Sequence, residues 1–127
     1  MIRTVAMAAA LGALPQLAAA DEIRHTSFGS FMLGTYATSQ DRCGANDKST
    51  ITISATKFTM SDDSCAVRWI VETVGRSGAY FSAHAACTRQ GQSDPQVKDV
   101  IFQPAREGQL LVGNGFDNLK PYVRCER

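Results

Sequence analysis

Residues 65–88 read CAVRWIVETVGRSGAYFSAHAACT, and this stretch decides the fold. It holds two runs, Cys65 to Val74 and Ala79 to Thr88, separated by Gly75-Arg76-Ser77-Gly78. Both runs are long enough for strands, and β-branched and aromatic residues dominate the first, so the stretch reads as a β-hairpin. Setting Cys65 opposite Cys87 pairs Val67 with Ala85, Trp69 with Ala83 and Val71 with Phe81 on one side. The other side then holds Arg68 with His84, Ile70 with Ser82 and Glu72 with Tyr80. A one-residue slip would place Trp69 beside His84 and mix the faces, whereas a buried face specifies register strongly. The expectation is therefore a core of Trp69, Val71 and Phe81, with Arg68, Glu72, Tyr80 and His84 facing outward.

The same period-two alternation extends to both sides of the hairpin. Thr50-Ile51-Thr52-Ile53-Ser54-Ala55 puts Ile51, Ile53 and Ala55 on one face and hydroxyls on the other. Phe58 and Met60 follow with opposite parity, which calls for a turn or bulge near Thr56-Lys57. Ser61-Asp62-Asp63-Ser64 is a turn of residues that hydrogen-bond their own backbone. Further strands are expected at Phe31–Ala37, Val97–Gln103, Gln109–Gly113 and Pro121–Cys125, with Gly- and Pro-containing loops between them. About eight short strands with no helical periodicity predict an all-β domain, a small antiparallel barrel, with a β-sandwich as the alternative. Barrel closure is preferred because it removes the exposed edges that an exported monomer would otherwise have to protect. Gly34-Thr35-Tyr36 resembles the Gly-x-Trp opening of lipocalin-type barrels, with Tyr in place of Trp. The resemblance covers three residues and implies a barrel of that outline only.

Residues 1–20 read as a cleavable signal peptide, leaving a single domain over 21–127. Arg3 supplies a positive charge, Val5 to Leu14 is an uncharged apolar run, and Leu17-Ala18-Ala19-Ala20 offers the small residues read by a signal peptidase. The apolar run falls short of the ~20 residues of a membrane span, so the mature chain is expected to be exported and not membrane-spanning. Arg3 is one of thirteen basic residues against twelve acidic ones, so the mature chain carries twelve against twelve. A chain without net charge is not expected to bind nucleic acid through phosphate contacts.

Export to an oxidising compartment turns Cys43, Cys65, Cys87 and Cys125 into two disulfides. No Cys-x-x-Cys spacing supports zinc. Sequence neighbours in an up-and-down order predict Cys43 with Cys65 and Cys87 with Cys125. The hairpin register favours the rival pairing, Cys65 with Cys87 and Cys43 with Cys125.

Pairing every thiol removes cysteine as a nucleophile. His84 reads as a surface residue of the hairpin, and His25 lies near the mature start. No Gly-x-Ser-x-Gly elbow accompanies them. Asp62-Asp63 reads as turn chemistry. The Asp41, Asn46, Asp47 loop and the Asn114, Asp117, Asn118 loop lack calcium-loop spacing. The chain is therefore expected to be neither enzyme nor metal or cofactor binder. Surface recognition is what remains. Phe116 sits between flexible residues in Gly113-Asn114-Gly115-Phe116-Asp117-Asn118, either as an anchor for a partner or as a plug over the barrel end. Phe28 poses the same alternative, and Arg68 and Tyr80 are candidates for the same patch. The expected partner-binding set is Phe116, Asn114, Asp117, Phe28, Arg68 and Tyr80. An exported binding protein, most concretely an inhibitor of lysozyme or of another secreted hydrolase, is the leading reading. A carrier of a small apolar ligand in the barrel and an envelope-stability factor are the alternatives.

Overall fold

The computed structural model describes residues 22–45, 48–76 and 78–125. The signal peptide read over residues 1–20 lies outside these residues, as do Asn46, Asp47 and Ser77 of the loops named above. Among the described residues the strands are β1 (Glu22–His25), β2 (Gly34–Ala37), β3 (Thr50–Ile53), β4 (Lys57–Met60), β5 (Asp63–Gly75), β6 (Gly78–Arg89), β7 (Gln96–Pro104), β8 (Gln109–Gly113) and β9 (Lys120–Arg124). They are hydrogen-bonded in the order β1-β5-β4-β3-β2-β9-β8-β7-β6, and β6 returns to β5. Eight antiparallel strands thus close an up-and-down barrel, as the alternation predicted, and a sandwich is excluded. β1 is the ninth strand. It pairs with Ile70 to Thr73 of β5, beyond Ala66, where the pairing of β4 with β5 ends.

The hairpin register holds from Cys65/Cys87 to Val67/Ala85 and then slips by one residue. A β-bulge between Val67 and Trp69 inserts Arg68, so that Trp69 faces His84, Ile70 faces Ala83 and Glu72 faces Phe81. An extra residue in one strand reverses the parity of everything after it. Ile70 therefore takes the core position, fully buried, while Trp69 and Val71 turn outward and Glu72 turns inward. Phe81 is buried as expected, and Tyr80 and His84 stay on the outer face.

The barrel interior is filled. Phe28, Phe58 and Phe102 meet edge to face with ring centroids 5.1–6.2 Å apart, and Met32, Ile51, Ile53, Ile70 and Leu110 pack around them. Tilted or edge-to-face contacts suit the aromatic quadrupole and add to the burial. Phe28 and Met32 belong to the segment ahead of β2, which forms a 3-10 turn at Ser30–Met32 and plugs one barrel end. The strand expected from Phe31 thus begins only at Gly34. Arg124 of β9 fastens this plug: its guanidinium donates to the carbonyls of Leu33 and Phe31 and to the Tyr36 hydroxyl at 2.6–2.7 Å, and lies over the Tyr36 ring. Tyr36 passes the chain on by donating to the Met32 carbonyl. Gly34 is required here, because its φ of +141° strains other residues and a Cβ would sit 2.8 Å from Arg124 Nη1.

The disulfides are Cys43–Cys125 and Cys65–Cys87, which overturns the pairing of sequence neighbours. Cys65 and Cys87 lie directly opposite each other in the part of the hairpin where the expected register holds. After β2 the chain turns back along the barrel wall: Gln40 Nε2 donates to the Arg124 carbonyl, and Cys43 meets Cys125 just past β9. Ala37, outward by parity, is wholly buried beneath this cover.

Candidate functional site

Three surface features gather side chains that are not needed to close the barrel. The first is built by the loop after β8. Residues 114–119 fold back over the outer wall, so that the Asn118 carbonyl lies where a Cβ on Gly113 would stand, 2.6 Å away. Asn118 Nδ2 donates to Asn114 Oδ1 at 2.6 Å and braces the loop. This brings Phe116 against Tyr80, edge to face, with centroids 4.8 Å apart, yet leaves Phe116 58% exposed. Phe116 therefore neither plugs the barrel end nor joins the core. Ile101, outward by parity and register partner of Gly113, is only 8% exposed under this cover.

On the same outer wall Trp69 stacks on His84 at 4.2 Å, and the Arg24 guanidinium lies over the Trp69 ring. His84 Nδ1 is 2.8 Å from Asp99 Oδ1, so a row runs from Arg24 through Trp69 and His84 to Asp99 across β1, β5, β6 and β7. Both faces of the indole are occupied. Arg68 stands exposed at the bulge and is separated from Tyr80, whose register partner is Thr73. The surface thus joins Phe116 and Tyr80, with Asn114 and Asp117 in the same loop. Arg68 stands apart from it, and Phe28, 4% exposed in the core, is removed from it altogether.

The second feature is at the plugged end. Phe31 is 58% exposed and rests on Phe81 at 5.8 Å, beside a cleft lined by Tyr36, Pro104, Leu110 and Arg124. Ile23 and Val74, also exposed, flank Glu72 on the inner face of the hairpin, and His25 Nε2 meets Glu72 Oε1 at 2.7 Å. Phe31 lies in the 3-10 turn and not in the expected strand. Its spacing of three from Phe28 around Gly29-Ser30 fits a single turn that sends one ring inward and the other out.

The third feature is the opposite mouth of the barrel, a cleft of about 350 Å³ over Met60, Val100 and Val112. Asp63 lies on its rim with Lys98 Nζ 2.7 Å and Arg89 Nε 3.5 Å away. The Lys98 hydrogen bond holds the Asp63 carboxyl below its usual range, with Arg89 helping. Burial pushes the Tyr36 hydroxyl up against the opposing pull of Arg124, and burial alone pushes Tyr122 up.

Because the folded-state value of Asp63 is lowered, its contribution to stability is present above the unfolded value of ~3.9 and is lost as pH falls through the lowered one. Asp63→Asn is expected to cost about 1–2 kcal/mol at neutral pH and to flatten the acid side of the stability curve. Urea midpoints at pH 6 and pH 3 check this, and an equal acid loss in both proteins would contradict it.

Among the described residues no three His, Cys, Asp or Glu side chains are grouped to hold a metal, and no cysteine is free. No described helix is long and apolar enough to cross a membrane. Comparison with known proteins finds no matching family, no curated relative and no similar solved structure.

Proposed function

We propose that this is an exported binding protein that recognises another protein through exposed aromatic side chains, and that it inhibits a lysozyme or another secreted hydrolase. The observation that carries the reading is the contrast between a barrel filled with interlocking phenyl rings and the two phenylalanines, Phe31 and Phe116, left 58% exposed outside it. Large aromatics held by a rigid scaffold make efficient interface anchors, because little side-chain freedom is lost on binding. A filled interior speaks against a carrier that holds its ligand deep in the barrel. Two disulfides suit an oxidising compartment.

The test is inhibition of lysozymes and secreted proteases by the purified protein, with the affinity of any inhibited enzyme measured for Phe116→Ala and Phe31→Ala. At least one of these substitutions is expected to weaken binding tenfold or more, as hot-spot truncations do, without lowering the melting temperature. Absence of inhibition at micromolar protein across both enzyme classes would overturn the inhibitor reading. Equal affinity of both variants and the parent would overturn the role of the aromatics.

A further inference from the structure

Four strands reach the mouth opposite Phe31 with a charged residue at an inward-facing position. Asp63 of β5 and Arg89 of β6 are register partners, each two residues beyond the buried Cys65–Cys87 pair on the same face. Lys98 of β7 pairs with buried Ala85 and precedes Val100 by two. Lys120 of β9 pairs with buried Val112 and precedes Tyr122 by two. The alternation that carries apolar side chains into the core thus continues to the rim, but there it delivers three cations and one carboxylate. Inward charges commonly protect sheet edges, yet a closed barrel has no such edge here. Asp63 engages Lys98 and Arg89, while Lys120 makes no ion pair among the described residues.

We infer that this mouth binds a small anionic amphiphile: a single short alkyl chain laid on Met60, Val100 and Val112, with its carboxylate, sulfate or phosphate head on Lys120 and the outer side of Lys98. The cleft of about 350 Å³ is at the small end of ligand pockets, which run from ~300 to ~1,000 Å³. Phe58 and Phe102 fill the barrel beyond it, so a long chain does not thread through. Charge complementarity selects the head, since a cation would meet Lys120, which has no ion-pair partner among the described residues, whereas an anion gains a charge-assisted hydrogen bond. The site lies at the other end of the barrel from the Phe31 cleft, since β8 runs from Gln109 beside that cleft to Gly113 at this mouth, and it borders the Phe116 loop only through Asn114 and Asn118.

The experiment titrates the disulfide-bonded protein with octanoate, octyl sulfate and octyl phosphate, each below its micelle-forming concentration, with octylammonium as the charge control. Methyl NMR signals of Met60, Val100 and Val112 report the site. Saturable shifts of these methyls with the anionic probes are expected, the three heads ranking the anion class, and octylammonium should bind at least tenfold more weakly. Lys120→Glu, at an exposed position, should weaken octyl sulfate about tenfold or more with an unchanged melting temperature. The inference is overturned by equal binding of octylammonium, by shifts confined to residues around Phe31 or Phe116, by a Lys120→Glu protein that binds as the parent does, or by no shifts at millimolar probe. Binding to anionic phospholipid vesicles without binding of the monomeric probes would overturn it too.

Discussion

Replacing Cys43 and Cys125 together by alanine is expected to destabilise the protein by about 4–5 kcal/mol, against about 3–4 kcal/mol for the Cys65, Cys87 pair. The difference comes from the unfolded chain. Cys43–Cys125 spans 82 residues and Cys65–Cys87 only 22, and the entropy that a cross-link removes from the unfolded state grows with the logarithm of the loop. Folded-state burial pushes the other way, since Cys65 and Cys87 are 3% and 2% exposed in the core, and alanine keeps that term small because it buries no hydroxyl. Cys43–Cys125 holds the return segment that covers Ala37, whereas Cys65–Cys87 joins residues already paired along a hairpin. For a domain this small a loss of that size lowers the melting temperature by roughly 20 °C or more. Thermal and urea unfolding of the two double variants checks the order, and peptide mapping of the non-reduced protein checks the pairing. A Cys65, Cys87 double variant that is the less stable of the two would show that the loop-closure account fails here.

The hairpin itself holds the information that sets the disulfide pairing, since Cys65 and Cys87 are direct register partners. The period-two pattern identified both long strands, and opposing Cys65 to Cys87 was right. The preferred pairing of sequence neighbours follows only from chain order, which does not register that the segment after β2 returns along the outer wall. No local signal marks the bulge at Arg68. The bulge places Ile70, without solvent exposure, among the core residues and leaves the indole outside. Trp69 instead finds Arg24 and His84 outside. β1 has no sequence signature for a related reason: Glu-Ile-Arg-His carries too little apolar patterning to stand as a strand, and it forms because β5 extends past β4 and offers unpaired backbone. Phe28 and Phe116 illustrate the limit for the surface. Both sit in Gly- and Ser- or Asn-containing segments, and composition does not say which is covered. The charged mouth, by contrast, was legible in retrospect from parity alone, since Lys98-Val100-Phe102 places a lysine in the series of core positions.

Phe102→Ala is expected to cost about 3–5 kcal/mol, the range for truncating a buried phenylalanine that its surroundings cannot collapse to fill. Phe102 has no solvent exposure and is held between Phe28 and Phe58 at 5.2 and 5.1 Å. Its register neighbours Phe81 and Val112 stand on rigid strands of a closed barrel, so the wall has little freedom to move inward. The plug is the exception, because Phe28 sits on the irregular segment ahead of β2 and not on a barrel strand, held only by Arg124 and by the hydrogen bond from its own backbone N–H to the Ala55 carbonyl. If the plug relaxes into the cavity, Phe28→Ala will cost less in the Phe102→Ala background than alone, with a coupling of about 0.5–1.5 kcal/mol. Urea denaturation of the two single variants and the double variant measures all of these terms. A Phe102→Ala loss under about 1.5 kcal/mol would mean that the ring borders open space, which would put the deep-barrel carrier, until then the alternative, ahead of protein recognition. A loss in the expected range supports the barrel as a filled scaffold, and leaves its rims and outer loops to carry the proposed binding.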